Sequence, residues 1–197
     1  MSQPAGIIGT GDARERLLAA AEKLFAEKGY AATAVHELTD AAGVNRALLY
    51  YYFEDKHSLY RAVLDEGTAA FETMLGEALS VPGTYAERLA AFVRGHLNLI
   101  RTRGDMARLV HRCLLDGHQE EFGLREKFQR SVERLEAFFR EAAAAGEFRS
   151  VDPEITARSI LGPTFIFSLW GISEGDRFPI DAIAEQVTGQ LLFGLRA

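Results

Sequence analysis

The stretch TAVHELTDAAGVNRALLYYYFEDKHSL, Thr33 to Leu59, decides how the rest of the chain is read. Two short helical patterns flank a tight Ala42-Gly43-Val44 turn, with glycine at the bend. The first opens at Thr33 as its cap and buries Val35, Leu38 and Ala41 or Ala42. The second opens at Asn45, a good N-cap, and turns Leu49 and Phe53 inward four residues apart. Its remaining faces carry Arg46 and the run Tyr50-Tyr51-Tyr52, with Lys56 one turn further on. A short helix so composed can lie in a DNA major groove, polar side chains toward base edges and phosphates. Tyrosine-rich helix ends also serve as half-buried packing, and Tyr50 is open to both uses.

Working outward, apolar positions recur at helical spacing almost throughout, and no stretch alternates long enough for a strand. The first helix is expected from near Asp12, where Asp12 and Glu15 form a capping-box-like pair, to Gly29, with a stripe of Leu17, Ala21, Leu24 and Phe25. Asp55 caps a long fourth helix from Lys56 to about Leu79. Val81-Pro82-Gly83 stops it, and Thr84 with Glu87 boxes the start of a helix to about Thr102. Gly104, Gly117 and Gly146 divide the next stretch into helices of about Asp105–Asp116 and Gln119–Ala145. Asp152-Pro153-Glu154 starts another, which runs to Trp170 with a kink at Pro163. A last helix spans about Ile180 to Leu195. The fold class is therefore all-α: a three-helix unit over residues 12–58, joined by the long fourth helix to a helical remainder, 59–197, for about nine helices.

At 197 residues the chain can bury a real core as one large or two small domains. A net charge of −6 and a pI near 5.4 exclude a general nucleic-acid coat. They do not exclude a binder whose positive charge is local. Up to Tyr60 the cations are Arg14, Arg16, Lys23, Lys28, Arg46 and Lys56, so few phosphates are neutralised and salt dependence is expected to be moderate. Cys113 is the sole cysteine, which rules out an internal disulfide and suits a reducing cytoplasm. Met1 to Asp12 show neither a basic n-region nor an apolar h-region, so no secretory leader is expected. The most apolar run, Ile160 to Ile172, is read as too short to cross a bilayer and is broken by Gly162 and Pro163.

The last two helices carry a further message. Ile160, Leu161, Phe165, Ile166, Phe167, Leu169 and Trp170 leave almost no polar face. The final helix sets Ile183, Val187 and Leu191 on one side, with Leu192 and Leu195 beside them. Helices so apolar need cover on both sides. A two-fold homodimer through about 153–171 and 180–195 supplies it, and would give a groove-reading helix its second half-site.

From Ala13 to Leu64 the chain closely resembles the N-terminal domain of TetR-family transcriptional regulators. The resemblance rests on Leu24-Phe25, Gly29-Tyr30, Thr33, Leu38, Ala42-Gly43-Val44 and Leu49-Tyr50-Tyr51-Tyr52-Phe53, followed by Lys56 and Leu59. It implies that the helix after Asn45 is the recognition helix, with Arg46 and Ala47 at base edges and Tyr51 across the groove. Tyr50, Tyr52, Lys56 and Thr33 would hold phosphates, and His36 matches a position that often reaches backbone or base. Leu48 departs from the family's smaller or polar residues, which suggests a thymine-methyl contact or simple packing.

The resemblance further implies a homodimer on a palindromic operator, repressing until a small, hydrophobic effector enters a C-terminal cavity. No cofactor, metal or membrane is implied. Candidates for the cavity lining are Phe71, Met74, Leu75, Phe92, His96, Leu99, Met106, Leu109, Val110, Cys113, Phe128, Phe165 and Trp170. Large apolar residues in such stripes are equally the stuff of core.

A rival reading is an all-helical enzyme or a metal or redox sensor using His96, His111 and Cys113. Their spacings, with Asp116 and His118, are not those of a zinc site. A lone cysteine beside Val110, Leu114 and Leu115 reads as inert core. No nucleophilic triad, phosphate loop or carboxylate pair stands out.

Overall fold

The computed structural model describes residues 10–174 and 177–195, and these form helices joined by short turns, with no strand among them. In order they are α1 (Thr10–Lys28), α2 (Val35–Ala42), α3 (Arg46–Tyr52), α4 (Lys56–Ser80), α5 (Tyr85–Thr102), α6 (Gly104–Leu115), α7 (Leu124–Ala144), α8 (Pro153–Glu174) and α9 (Ile180–Leu195). The leader question at residues 1–9 lies outside the described residues.

Several helix starts stem from local chemistry. Asn45 Oδ1 accepts the Leu48 N–H at 2.8 Å. Asp55 and Ser58 exchange bonds at the head of α4, and Thr84 and Glu87 do so at the head of α5. Asp152 Oδ1 caps α8 through the Ile155 N–H at 2.9 Å. Between α2 and α3, Gly43 takes φ 63° and ψ 40°, the left-handed cap that a side chain disfavours.

Three starts differ from the sequence expectation. α1 is already running at Thr10, so Asp12 sits in its first turn and pairs with Arg16. α2 is capped at Ala34, whose N–H is taken by Glu37 Oε2 at 2.8 Å; Thr33 lies one residue outside. α7 begins at Leu124 because 119–123 forms turns that end at Gly123, φ 65°.

Two cores organise the packing. One gathers α5 with α4, α7, α8 and α9 around Leu75, Phe92, Leu97, Leu135, Phe139, Ile160 and Val187. The other lies under α1–α3 and is built from Leu17, Phe25, Leu38, Leu49, Leu59 and Leu64. It is closed by Met106, Leu109, Cys113 and Phe122 from beyond α4. Burial of this kind contributes about 25 cal/mol per Å² of apolar surface, more than any of the exposed ion pairs on the surface.

α8 corrects one expectation. At 22 residues it is long and apolar enough, by length and composition alone, to cross a membrane, despite Pro163 within it. Instead its Ala157, Ile160, Thr164 and Gly171 are buried, packed in the layer with α5 and α7. Ile166, Leu169 and Trp170, and Phe193 on α9 at 93% exposure, stand outward.

Candidate nucleic-acid interface and ligand cavity

α3 is anchored by Leu49 and Phe53, both buried, and presents the rest of its surface to solvent. Arg46, Ala47, Tyr50 and Tyr51 are exposed, Tyr51 at 75%, while Leu48 and Tyr52 are half-buried. Arg46 is held before any partner arrives. Its Nη2 donates to Tyr50 Oη at 3.2 Å, and the guanidinium lies 5.4 Å from the Tyr50 ring centre. Tyr51 packs edge-on to Tyr52 at 5.0 Å. His36 stands exposed on α2. The face thus offers a forked cation, two phenols and a small residue on a short rigid element, suited to base edges and phosphates.

Two expected phosphate contacts have other work. Thr33 is 1% exposed, and its hydroxyl donates to the Gly29 carbonyl at 2.7 Å. In this structure the hydroxyl is engaged in closing the α1–α2 turn and does not face outward toward a phosphate. Lys56 Nζ donates to the carbonyls of Tyr30 at 2.9 Å and Thr33 at 3.0 Å, over the Tyr30 ring. With three donors on the ammonium, one remains for an outside acceptor. Thr33 and Lys56 together fasten the head of α4 to the turn that aims α2 and α3.

Below that clasp, aromatic rings join the two halves. Tyr60 lies 4.8 Å from Phe25, 5.0 Å from Tyr30 and 4.4 Å from Phe122 of the α6–α7 turn. Arg103, at the junction of α5 and α6, pairs with Glu22 on α1 at 3.1 Å. These contacts tie α4 and the α5–α7 segment to α1.

A cavity of about 130 Å³ opens between α4, α5, α6, α7 and α8. Phe71, His96, Leu99, Met106, Val110 and Phe128, all expected, line it. Met74, Leu75, Phe92, Leu109 and Cys113 do not; they are spent in the cores, and Trp170 faces outward. The Phe165 side chain lies outside the described residues. The lining also includes residues outside that expectation, most of them small or polar: Gly67, Thr68, Glu72, Ile100, Ala107, His111, Lys127, Ser131 and Leu161. Among these, Ser131 donates to Glu72, and Lys127 pairs with Asp65, so α4 and α7 are cross-linked at the cavity wall.

Gly67 and Met106 set the spacing of α4 on α6. A Cβ at position 67 would fall 2.2 Å from Met106 Sδ, so any other residue there would force the thioether to move. Met106 thereby belongs at once to the cavity wall and to the core under α1–α3.

The rival chemistry finds little footing. Burial pushes the Cys113 thiol up to about 11, well above the range of a reactive thiolate. His96 and His111 are pushed down to about 4, by burial first and, for His96, by the neighbouring His111. Among the described residues no group of three or more His, Cys, Asp or Glu side chains is placed to hold a metal ion.

Comparison with known proteins agrees with this layout. Residues 17–63 match the family model described as bacterial regulatory proteins, tetR family, and residues 82–195 match one described as tetracyclin repressor-like, C-terminal domain. The chain is 33% identical over 97 residues to the HTH-type transcriptional activator FasR of Mycolicibacterium smegmatis, covering 49% of this chain and 44% of FasR. It is 33% identical over 97 residues to the HTH-type transcriptional repressor NemR of Escherichia coli, covering 49% of each. In these matches the chain spans about half the length of its relatives. The solved structure of AibR in complex with isovaleryl coenzyme A and operator DNA superposes with a TM-score of 0.73 at 25% identity, covering 91% of this chain and 98% of AibR.

Proposed function

The chain belongs to the TetR family of bacterial regulatory proteins, and from that premise we propose that it is a ligand-responsive transcriptional regulator, a homodimer that grips a palindromic operator and releases it when a small hydrophobic effector binds. By family it is a regulator and not an enzyme. The observation that carries the reading is the outer face of α3, where Arg46, Ala47, Tyr50 and Tyr51 are exposed on a helix pinned from behind by Leu49 and Phe53.

In this reading Arg46 chooses the sequence, through a bidentate contact to guanine worth about 1–3 kcal/mol of discrimination. Tyr50, Tyr51, Tyr52 and the spare donor of Lys56 fix register on the phosphates and add no sequence information. The apolar side chains left outward on α8 and α9, Phe193 foremost, pair with a second copy. That pairing sets two α3 helices about 34 Å apart, one turn of DNA.

The effector site is the cavity between α4 and α8. Its 130 Å³ is close to the void of about 150 Å³ that holds one benzene. The short branched acyl group of AibR's ligand is of that order, and supports a small apolar occupant. An occupant that displaces Met106 moves α6 against α4. The clasp of Lys56 and the Tyr60 cluster pass the tilt to α1–α3, and the half-site spacing is lost. Ligand selects the dimer geometry that DNA does not. FasR is named an activator and NemR a repressor, so kinship leaves the sign open. Repression is the sign that follows in this scheme, since an occupant that tilts α1–α3 spoils the half-site spacing. Its place of action is the cytoplasm.

Selection from random duplexes, with wild type and Arg46→Ala side by side, tests the reading. A two-fold symmetric site should be enriched by the wild type and lost or blurred at the Arg46 position in the variant. Enrichment of no site by the wild type would overturn it.

A further inference from the structure

Among the described residues lining the cavity, His96 carries a buried polar atom without a partner. Nδ1 of His96 is sealed from solvent and meets no hydrogen-bonding atom. The ring is wedged against Phe71 at 4.9 Å and Phe92 at 5.9 Å. His96 nevertheless lines the cavity and is only half-buried, so its open edge is the other side of the ring, which carries Nε2. A buried N–H without an acceptor is rarer and costlier than an idle lone pair. The proton therefore belongs on Nε2, and the imidazole presents a donor to the cavity.

Charge is already spoken for around this donor. Among the described residues Lys127 is the one lysine or arginine lining the cavity, and it is paired with Asp65. Glu72 accepts from Ser131 and faces Arg134 at 3.9 Å. A polar vestibule shares Thr68, Glu72 and Lys127 with the cavity; it adds Asp65, Glu120, Glu121 and Glu126 against only Arg61 and Arg130. A polyanionic head group would meet a net acidic approach.

We propose that the cavity receives a small uncharged molecule, an apolar body bearing one carbonyl-type acceptor, seated on the Nε2–H of His96. This rests on the cavity being the effector site, and it departs from the coenzyme A thioester named in the AibR structure. The imidazole is neutral at physiological pH, since burial with His111 beside it holds it near 4, so it recognises by a dipole and not a charge. An anion could accept that hydrogen bond too, but it would lose its hydration with no unpaired cation among the described lining residues to offset the loss.

The probes are isobutyl methyl ketone, the alkene of the same shape in which a methylene group replaces the ketone oxygen, isovalerate, and isovaleryl coenzyme A. Each is titrated calorimetrically into the full chain without DNA. The ketone should bind roughly three- to tenfold tighter than the alkene, and tighter than isovalerate or the thioester. His96→Phe should erase the ketone's advantage over the alkene, and His96→Gln, which keeps an amide donor, should restore part of it. Equal affinity for ketone and alkene in the wild type would overturn the proposal, as would an advantage that survives His96→Phe. Tighter binding of isovalerate or isovaleryl coenzyme A than of the ketone would overturn it too. The expected ketone preference without any effect of the ketone on operator affinity would uphold the site and overturn only its regulatory role.

Discussion

Replacing Gly67 with alanine sets a methyl group where α4 meets α6. The new Cβ would lie 2.2 Å from Met106 Sδ, 2.6 Å from its Cγ and 3.2 Å from its Cε. Non-bonded atoms of this kind rest at about 3.5–4.0 Å, so the thioether must retreat by about 1.3–1.8 Å. Overpacking a closed core costs about 1–3 kcal/mol. Met106 is flexible and borders the cavity, which places Gly67→Ala in the lower part of that range, about 1–2 kcal/mol. For a chain of this size that is a fall of about 2–8 °C in Tm. Met106→Ala alone, emptying a buried site, should cost about 2–5 kcal/mol. In the double variant the methyl at 67 enters the space that Met106 vacates, so the two costs should fall short of their sum by about 1 kcal/mol or more. Urea unfolding of the four proteins at one fixed concentration gives the cycle directly. Simple additivity would refute the claim that this single contact sets the α4–α6 spacing, and with it the route from cavity to recognition helix.

The same geometry sets other outcomes. Thr33→Val should cost about 1 kcal/mol of stability, through loss of its bond to the Gly29 carbonyl, and leave operator affinity of the folded protein within about twofold; a large loss of affinity at high salt sensitivity would reinstate Thr33 as a phosphate contact. Phe193→Glu should shift the sedimenting species from dimer to monomer at micromolar concentration, and an unchanged dimer would move the interface elsewhere. His96 and His111 titrate near 4 in the fold against about 6.5 when unfolded. Between those values the unfolded chain binds more protons, so this contribution to stability is complete above about pH 6.5 and is lost as pH falls toward 4. Unfolding measured from pH 7 to 5 should give a shallower slope in His96→Phe than in wild type; identical slopes would mean that His96 is not held neutral.

Much of this was legible because it is local. Asn45, Asp55, Thr84 and Asp152 cap helices using partners three residues away, and the pairs Leu49 with Phe53 and Leu17 with Ala21 share one helix face. What sequence spacing could not supply was the far end of a long-range bond. Lys56 looks like a phosphate cation until its two carbonyl partners, 26 and 23 residues earlier, come into view. Thr33 looks like a cap until the end of α1 folds back to accept its hydroxyl. The cavity was half legible for a different reason. Large apolar residues are the mark a cavity leaves in sequence, and they fill the cores as readily as the wall. The glycine that makes room and the polar residues that cross-link the rim carry no periodic mark. An unpaired His96 nitrogen can be recognised only once its surroundings are known.

The core beneath α1–α3 has a consequence for how the molecule comes apart. Met106, Leu109, Cys113 and Phe122 form its lid, and none belongs to residues 12–58. Heating should therefore produce one calorimetric peak, since the reading head has no closed interior of its own to melt separately. The same holds for exchange between relatives. A chimera spliced at residue 58 would set a head cut for one lid under another, and would inherit voids at those four positions. Grafts that carry the matching faces of α4 and α6 along with the head keep the fit, and a new operator specificity travels with its lid.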